Sequence, residues 1–380
     1  MERSNWLMRY MGLFMSGLLL AVCSDTAQAE VPSAVQARLA RGINLSFWFT
    51  YRGNPTIDPQ LFRPDDADLA NLRRMGFRHV RIAFDQAWLV DAGMPSRANP
   101  QRAAELADAL QKVASHDLMA VVTMNADNAY LKRLLGDPAT LTAASAFWWS
   151  LAKQLSSRLP PAMLVFEVLN EPGNDDAAAS LKVMQTLAGS VRDAAPAYTI
   201  AVAGHKYSSI DELLALTPFQ DKNLIYSFHF YEPFNFTHQG ATWGWPMWAR
   251  FRGFPYPSSV EALAPVLPGL DADARPHAAY YGQQNWNRAK LALMLDRVAE
   301  WKNRNQVPVW CGEFGVVKTY APPGSREAWL RDTRELLEAR GIGWTHFDFT
   351  QHMGLVDGPQ GARLWNRGAV EALGLEPPAR

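Results

Sequence analysis

Residues 163–172 read MLVFEVLNEP and contain the pattern that decides the fold. Six apolar residues and one glutamate precede an Asn-Glu-Pro triplet in this stretch. Strands that are apolar on both faces are typical of parallel sheets covered by helices. In such sheets, ligands bind outside the carboxyl ends of the strands. The stretch therefore predicts a buried parallel strand with reactive groups at its carboxyl end.

Seven further runs of the same kind surround this one, and longer segments with helical periodicity separate them. The eight strand candidates are residues 42–46, 79–84, 118–124, 163–169, 199–203, 224–230, 308–312 and 343–349. Strand and helix alternating eight times predict an α/β fold, a (β/α)8 TIM barrel. The alternative, an open doubly wound sheet, requires a glycine-rich phosphate turn after its first strand. Residues 42–46, GINLS, contain no such turn.

The first 29 residues have the composition of an export signal. Arg3 and Arg9 precede an apolar run over residues 11–22, and small residues occupy positions 27 and 29. The run is too short to span a bilayer. We expect cleavage after Ala29 and an exported protein, periplasmic or extracellular, without a membrane span. A lipoprotein acylated at Cys23 is the alternative, but a valine precedes that cysteine where a small residue is expected.

Residues 30–380 are expected to form one catalytic barrel domain. The chain has 37 basic and 37 acidic residues, so it lacks the positive charge of a nucleic-acid-binding protein. Its 14 Trp, 18 Phe and 11 Tyr indicate a large core. Residues 231–281 form an unusually long, aromatic-rich connection after the sixth strand, which predicts a subdomain packed over the carboxyl end of the barrel. The sequence leaves the oligomeric state open.

Two glutamates lie where strands of the predicted barrel end. Glu171 follows the fourth strand and Glu313 closes the seventh. Burying a carboxylate at the end of an apolar strand is costly unless a partner stabilises it. The two strands lie on opposite sides of the barrel mouth, so their terminal side chains face each other. Retaining glycosidases place two carboxyl groups about 5 to 5.5 Å apart in this way.

Four segments together resemble glycoside hydrolase family 5, the cellulase family of the retaining barrel glycosidases. They are LNEP at 169–172, GEFG at 312–315, VRIAF at 80–84 and HFY at 229–231. The resemblance extends over residues 42–349, and the four segments fall on the matching strands. It implies a retaining barrel glycosidase that needs no cofactor and acts on a polysaccharide or oligosaccharide.

By this resemblance Glu171 is the acid/base and Glu313 the nucleophile. The acid must carry a proton near neutral pH, whereas the nucleophile must stay ionised. Supporting roles are implied for four more residues: Arg81 and Tyr231 beside Glu313, His229 beside Glu171, and Asn170 at the 2-hydroxyl of the sugar. Glu167, also on the fourth strand, is expected inside the barrel in a structural role.

The predicted substrate-binding residues are mostly aromatic, because sugar rings stack on flat aromatic faces. The family usually has a histidine at the end of strand three, where this chain has Asn125. On strand eight the family has a tryptophan, for which Trp344 and Phe347 are the candidates, with Phe347 in the favoured register. Trp48, Trp88, Trp243 and Trp245 complete the set.

The sequence lacks the motifs of two other classes of hydrolase, the metal-dependent hydrolases and the esterases. No two of the eight histidines stand one residue apart, as a metal-dependent hydrolase on this fold requires. The glycine-flanked serine of an esterase is also missing. We therefore expect no metal and predict an endoglucanase-like enzyme acting on a β-linked glucan. The alternatives are a β-mannanase, a β-1,3-glucanase or a transglycosylase on the same scaffold, and a catalytically silent carbohydrate-binding barrel in polysaccharide export.

Overall fold

Eight parallel strands close into a barrel in the computed structural model, which describes residues 30–52, 59–173 and 175–378. The predicted (β/α)8 class is confirmed. The barrel strands are β1 Arg41–Asn44, β2 His79–Asp85, β3 Met119–Asn125, β4 Leu164–Glu167, β5 Ile200–Ala203, β6 Leu224–Phe230, β7 Val309–Phe314 and β8 Gly343–His346. The predicted signal segment and Cys23 lie outside the described residues.

Helices surround the barrel. The α-helices are Ser33–Arg38, Pro59–Phe62, Asp66–Met75, Gln86–Leu89, Pro100–Ser115, Asn128–Gly136, Pro138–Ser156, Ala177–Ala194, His205–Ser208, Ile210–Ala215, Phe234–Thr237, Val260–Leu263, Ala274–Gln283, Arg288–Asn305, Pro323–Ala339 and Arg367–Ala372. Several begin at residues whose side chains accept a backbone N–H: Asp65, Asn99, Asp127, Asp137 and Asn287 do so. These contacts satisfy N–H groups that have no partner within the helix. None of the helices within the described ranges is long and apolar enough to cross a membrane.

The amino end of the barrel is filled and the carboxyl end is open. The first helix contributes Val35 to a buried apolar cluster that includes Trp310 and Met119, residues near the starts of their strands. The helix therefore closes the amino end. Apolar residues fill the space between strands and helices. The open end is where the reactive groups are expected.

Residues 231–281 are ordered by short helical turns and buried aromatic side chains. The connection contains three of the α-helices given above and two 3-10 helices, Pro246–Arg250 and Leu267–Gly269. Six of its phenylalanine and tyrosine residues are buried: Tyr231, Phe236, Phe251, Phe254, Tyr256 and Tyr281. Trp243 from the same connection lines the cleft at the carboxyl end. The connection therefore packs against that end of the barrel.

Two short antiparallel hairpins and one more 3-10 helix complete the described structure. Val90–Asp91 pairs with Met94–Ala98 after β2, and Val356–Asp357 pairs with Leu364–Trp365 after β8. The 3-10 helix, Pro161–Met163, leads directly into β4.

Candidate active site

A cleft of about 420 Å³ opens at the carboxyl end of the barrel. Eight of the residues selected from the sequence line it: Arg81, Asn125, Asn170, Glu171, Tyr231, Trp243, Glu313 and Phe347. Arg81 lies within β2, the others lie at or just after the ends of β3, β4, β6, β7 and β8, and Trp243 lies in the long connection after β6. Concave sites lined by aromatic side chains and a few convergent polar groups are typical of ligand pockets.

The two glutamates lie on opposite sides of this cleft and close together. One oxygen of Glu171, one oxygen of Glu313 and one nitrogen of His229 lie within 4.8 Å of one another. The Glu313 side chain is 8% exposed and the Glu171 side chain is 30% exposed. The carboxylates therefore have different surroundings, one nearly buried in a polar network and the other open to the cleft.

Local backbone geometry positions both glutamates. Glu313 continues the buried strand β7. A side chain on the preceding Gly312 would meet Ser227 at 2.7 Å and the His229 ring at 3.2 Å, so glycine lets these residues approach the strand. Glu171 has a φ of 38°, in the left-handed region that residues other than glycine rarely adopt. Strained backbone of this kind clusters at functional sites.

Arg81 connects four side chains at the bottom of the cleft. Its guanidinium donates to Oε1 of Glu313 at 2.6 Å and to Oε2 of Glu167 at 2.5 Å. It also donates to the amide oxygens of Asn44 at 2.9 Å and Asn170 at 2.7 Å. Burial opposes the positive charge, but the carboxylates of Glu167 and Glu313 outweigh burial and raise the pKa of Arg81. Arg81 is therefore a permanent cation beside Glu313.

Tyr231 donates to the second oxygen of Glu313. Its hydroxyl lies 2.8 Å from Oε2, opposite the contact that Arg81 makes with Oε1. Burial and then the negative charge of Glu313 raise the pKa of Tyr231 well above its ordinary value, so the hydroxyl stays protonated and remains a donor. Both oxygens of Glu313 thus accept a hydrogen bond, one from a cation and one from a protonated hydroxyl.

His229 lies between the two carboxylates. Its Nδ1 is 2.7 Å from Oε1 of Glu171 and 3.5 Å from Oε2 of Glu313. Burial lowers the pKa of His229, but the charge of Glu313 and the hydrogen bond with Glu171 outweigh burial, so its pKa is raised. The imidazole can therefore hold a proton next to Glu171.

The polar rim on the other side consists of two asparagines and an aspartate. The side-chain amide nitrogen of Asn170 lies 3.5 Å from Oδ1 of Asn125, and Asn125 donates to Asp85 at 3.3 Å. Because Asn170 accepts from Arg81, its amide N–H groups point away from the guanidinium. The amide nitrogen of Asn170 is thus directed toward Asn125 at the end of β3, and both residues line the cleft.

Four predicted aromatic residues are not brought to the cleft. The prediction is wrong for Trp344, which has no exposed surface because it packs against Phe77 and Phe314, and for Trp48, which is 5% exposed and packs in the core. Trp88 packs on Phe49, and Trp245 packs against His277. Phe347 lines the cleft instead of Trp344, as the favoured register of strand eight predicts.

Other residues line the cleft although the sequence analysis did not select them. Phe47 and Tyr51 stack at 4.9 Å between ring centroids, and Trp243 lies 4.9 Å from His352. The full set is Ser46, Phe47, Thr50, Tyr51, Ala83, His238, Gln351, His352 and Met353. Residues 46–51 directly follow β1, and this position after a barrel strand is the signal by which they are recognisable.

One group of three side chains has the spacing of metal ligands within the described part of the chain, namely Glu171, His229 and Glu313. Their contacts with one another, and those of Arg81 and Tyr231 with Glu313, already engage the donor atoms. The buried cation of Arg81 also lies 2.6 Å from Glu313, and its positive charge opposes the binding of a metal ion there. The arrangement thus fits acid/base and nucleophilic chemistry by the two carboxylates.

Comparison with known proteins gives a consistent result. The family model described as cellulase (glycosyl hydrolase family 5) matches residues 41–353. Endoglucanase C of Acetivibrio thermocellus is 27% identical over 320 residues, which are 80% of this chain and 88% of that protein. Endoglucanase 3 of Fibrobacter succinogenes is 26% identical over 339 residues, 84% of this chain, and the chain spans half of that protein's length.

Solved structures share the fold. Cel5A of Thermotoga maritima, solved in complex with cellobiose, superposes with a TM-score of 0.71 at 23% identity, covering 89% of this chain and 98% of that one. The cellulose synthase subunit Z of Clostridioides difficile superposes with a TM-score of 0.71 at 22% identity, covering 88% and 98%.

Proposed function

Because the chain belongs to the cellulase family, glycosyl hydrolase family 5, we propose that it cleaves a β-1,4-linked glucan with retention of anomeric configuration. Its class is that of a cellulase-like β-glycoside hydrolase. The observation that carries the proposal is the pair of carboxylates, Glu171 and Glu313, with oxygens within 4.8 Å across one cleft. This spacing suits direct attack by one carboxylate and leaves little room for a water between them.

In the first step Glu313 attacks the anomeric carbon while Glu171 protonates the glycosidic oxygen of the leaving sugar. Arg81 and Tyr231 orient Glu313, each by donating a hydrogen bond to one carboxylate oxygen. His229 contacts Glu171 at 2.7 Å and orients its carboxyl group for this proton transfer. The products of this step are a glycosyl ester on Glu313 and a free reducing end.

In the second step water hydrolyses the ester. Glu171 now accepts a proton from that water, which attacks the same face that the leaving sugar occupied. The greater exposure of Glu171 gives water access to this face. Asn170 donates to the 2-hydroxyl of the sugar, a contact that strengthens in the oxocarbenium-like transition state. Two inversions restore the original configuration.

Aromatic side chains bind the polymer on both sides of the reacting sugar. Phe47, Tyr51, Trp243 and Phe347 present rings to the cleft, and sugar rings stack on such faces. A β-mannan and a β-1,3-glucan remain the alternative substrates, since both have rings that stack equally well. Because both carboxylates are in place, hydrolysis is favoured over the silent binding barrel.

We further propose that residues 1–29 direct export and that residues 30–380 form the mature catalytic domain. The basic residues, the apolar run and the small residues at 27 and 29 support export. The family match over residues 41–353 lies within the proposed mature domain.

The experiment uses purified residues 30–380 and the variants Glu313→Gln and Glu171→Gln. Each protein is incubated with a β-1,4-glucan, a β-mannan and a β-1,3-glucan, the products are sized, and NMR follows the anomeric proton of the first product. We expect β-configured oligosaccharides from the β-1,4-glucan, and a loss of at least about 10³-fold in kcat for Glu313→Gln. Full activity of a folded Glu313→Gln protein would overturn the proposal.

A further inference from the structure

We infer that Glu167 is a positioning residue that sets the orientation and the net charge of the Arg81–Glu313 pair during the reaction. This inference rests on the proposed retaining function. Glu167 does not line the cleft and its side chain is 1% exposed, so it acts on the substrate through Arg81.

The contacts of Arg81 use separate edges of one planar guanidinium. Nε donates to Glu167, Nη1 donates to Glu313 and Asn44, and Nη2 donates to Asn170. The fork of a guanidinium is rigid, so a partner at Nε fixes the directions of the other N–H groups. Glu167 is that partner, and it holds the groups that aim Glu313 and Asn170.

Stability alone does not require a carboxylate at this position, because Glu313 already supplies one negative charge to Arg81. Glu167 lies on β4 beside Thr123 of β3 and Ala201 of β5, inside the barrel. Desolvating a second anion next to Arg81 is costly, and an uncharged amide of the same size also offers an oxygen to Nε. The feature to be explained is therefore the negative charge of Glu167, because its hydrogen bond alone could be made by an uncharged amide.

The net charge of Arg81, Glu167 and Glu313 explains why Glu167 is charged. Arg81 carries one positive charge, and Glu167 and Glu313 carry one negative charge each, so the buried trio has a net charge of −1 when both carboxylates are ionised. The transition state carries positive charge on the sugar, which an anionic trio stabilises. When the ester forms, Glu313 loses its charge and the trio becomes neutral, because Arg81 stays paired with Glu167.

Replacing Glu167 by glutamine changes each of these states by one charge. The trio becomes neutral before the reaction and has a charge of +1 in the covalent intermediate. An uncompensated cation then lies beside a sugar with positive charge, which raises the barriers of both steps. Substrate binding before bond cleavage involves no such charge, so KM is expected to change little.

The test compares Glu167→Gln with the wild-type chain over residues 30–380, using an aryl β-cellobioside. We expect kcat to fall by about 100-fold with KM within about twofold, and the melting temperature to stay the same or rise. Asp68→Asn is the matched control, because Asp68 is a buried carboxylate that pairs with Arg363 at 3.2 Å outside the cleft. The control is expected to leave kcat unchanged.

A folded Glu167→Gln protein with wild-type kcat would overturn the inference. A decrease in kcat no larger than the decrease in the fraction of folded protein would also overturn it. If Glu167→Gln does not fold, the same kinetics are measured on Glu167→Asp, because this variant keeps the charge and shortens the reach to Arg81. A lower kcat with unchanged KM then supports the inference, and wild-type kinetics overturn it. Glu313→Gln, measured in parallel, tests the proposed function separately.

Discussion

The imidazole of His229 lies between the two carboxylates, with Nδ1 2.7 Å from Glu171 and 3.5 Å from Glu313. One ring therefore contacts both groups assigned to the reaction. Its Nε2 is buried and has no hydrogen-bond partner among the described residues. All polar contacts of the ring are thus directed at the carboxylates, which ties its protonation to their charge.

This arrangement predicts a pH-dependent contribution of His229 to stability. Its pKa in the folded protein is raised above 6.5, so its stabilising effect is fully present below that pH and is lost as the pH rises through the folded-state pKa. His229→Gln should therefore lower the free energy of unfolding more at pH 5.5 than at pH 8.5. Urea unfolding at the two pH values measures this difference, and a larger effect at pH 8.5 would contradict the prediction.

Removing the hydroxyl of Tyr231 should weaken catalysis without unfolding the protein. The hydroxyl donates to Glu313 at 2.8 Å, and a hydrogen bond to a charged group contributes about 1.5 to 3 kcal/mol. We expect Tyr231→Phe to lower kcat by about 10- to 100-fold. Steady-state kinetics on an aryl β-cellobioside measure this change, and an unchanged kcat would show that the contact has no catalytic role.

A buried aspartate beside the cleft should limit stability above neutral pH. Asp348 accepts hydrogen bonds from the Ser46 hydroxyl and the Gln351 backbone, and burial raises its pKa to about 7. Ionising it in the folded protein is therefore costly, and the cost develops between pH 4 and pH 7. We expect Asp348→Asn to stabilise the protein at pH 8 by up to about 4 kcal/mol and to have little effect at pH 4.

The asparagine can keep both contacts, since its oxygen accepts from Gln351 and the Ser46 hydroxyl rotates to accept from its amide. Thermal unfolding at pH 4 and pH 8 compares the two proteins. Equal effects at both pH values would mean that the charge of Asp348 is not the cause.

Trp243 should contribute to binding of the sugar chain. It lines the cleft, is 41% exposed and packs against His352 at 4.9 Å. We expect Trp243→Ala to raise KM for cellohexaose by about 10-fold, because stacking of a sugar ring is lost. Trp149→Ala is the matched control, since Trp149 is 47% exposed on the outer helix Pro138–Ser156 and should leave KM unchanged. Equal effects of both variants would assign the change to general destabilisation.

Much of the fold follows from local pattern. The predicted strand 224–230 has the same bounds as the observed β6, and the other strands agree to within three residues at each end. Closure of eight parallel strands then brings Glu171 and Glu313 together, although they are 142 positions apart in the chain. Topology alone thus predicts that the two carboxylates meet.

The aromatic residues that line the cleft are predicted less well from the sequence than the strands are, because their positions depend on side-chain direction and loop packing. On strand eight, Thr345 points into the barrel and bonds His79, and the alternation of a strand then places Phe347 at the cleft and Trp344 on the outside. The positions of Phe347 and Trp344 can therefore be predicted from the alternation of side chains along a strand. Trp48 and Trp245 are different, because both lie in loops. Trp48 packs on the adjacent Phe49, and Trp245 packs on His277, 32 positions further along the chain.

The most direct test of the central claim is to trap the covalent intermediate. The wild-type protein is incubated with a 2-deoxy-2-fluoro-β-cellobioside that has a good leaving group, and peptide mass spectrometry locates the attached sugar. We predict a single fluorocellobiosyl label on Glu313 and none in the Glu313→Gln protein. A label on another residue, or an unlabelled enzyme that releases α-configured product from a β-linked glucan, would contradict the assignment of Glu313 as nucleophile.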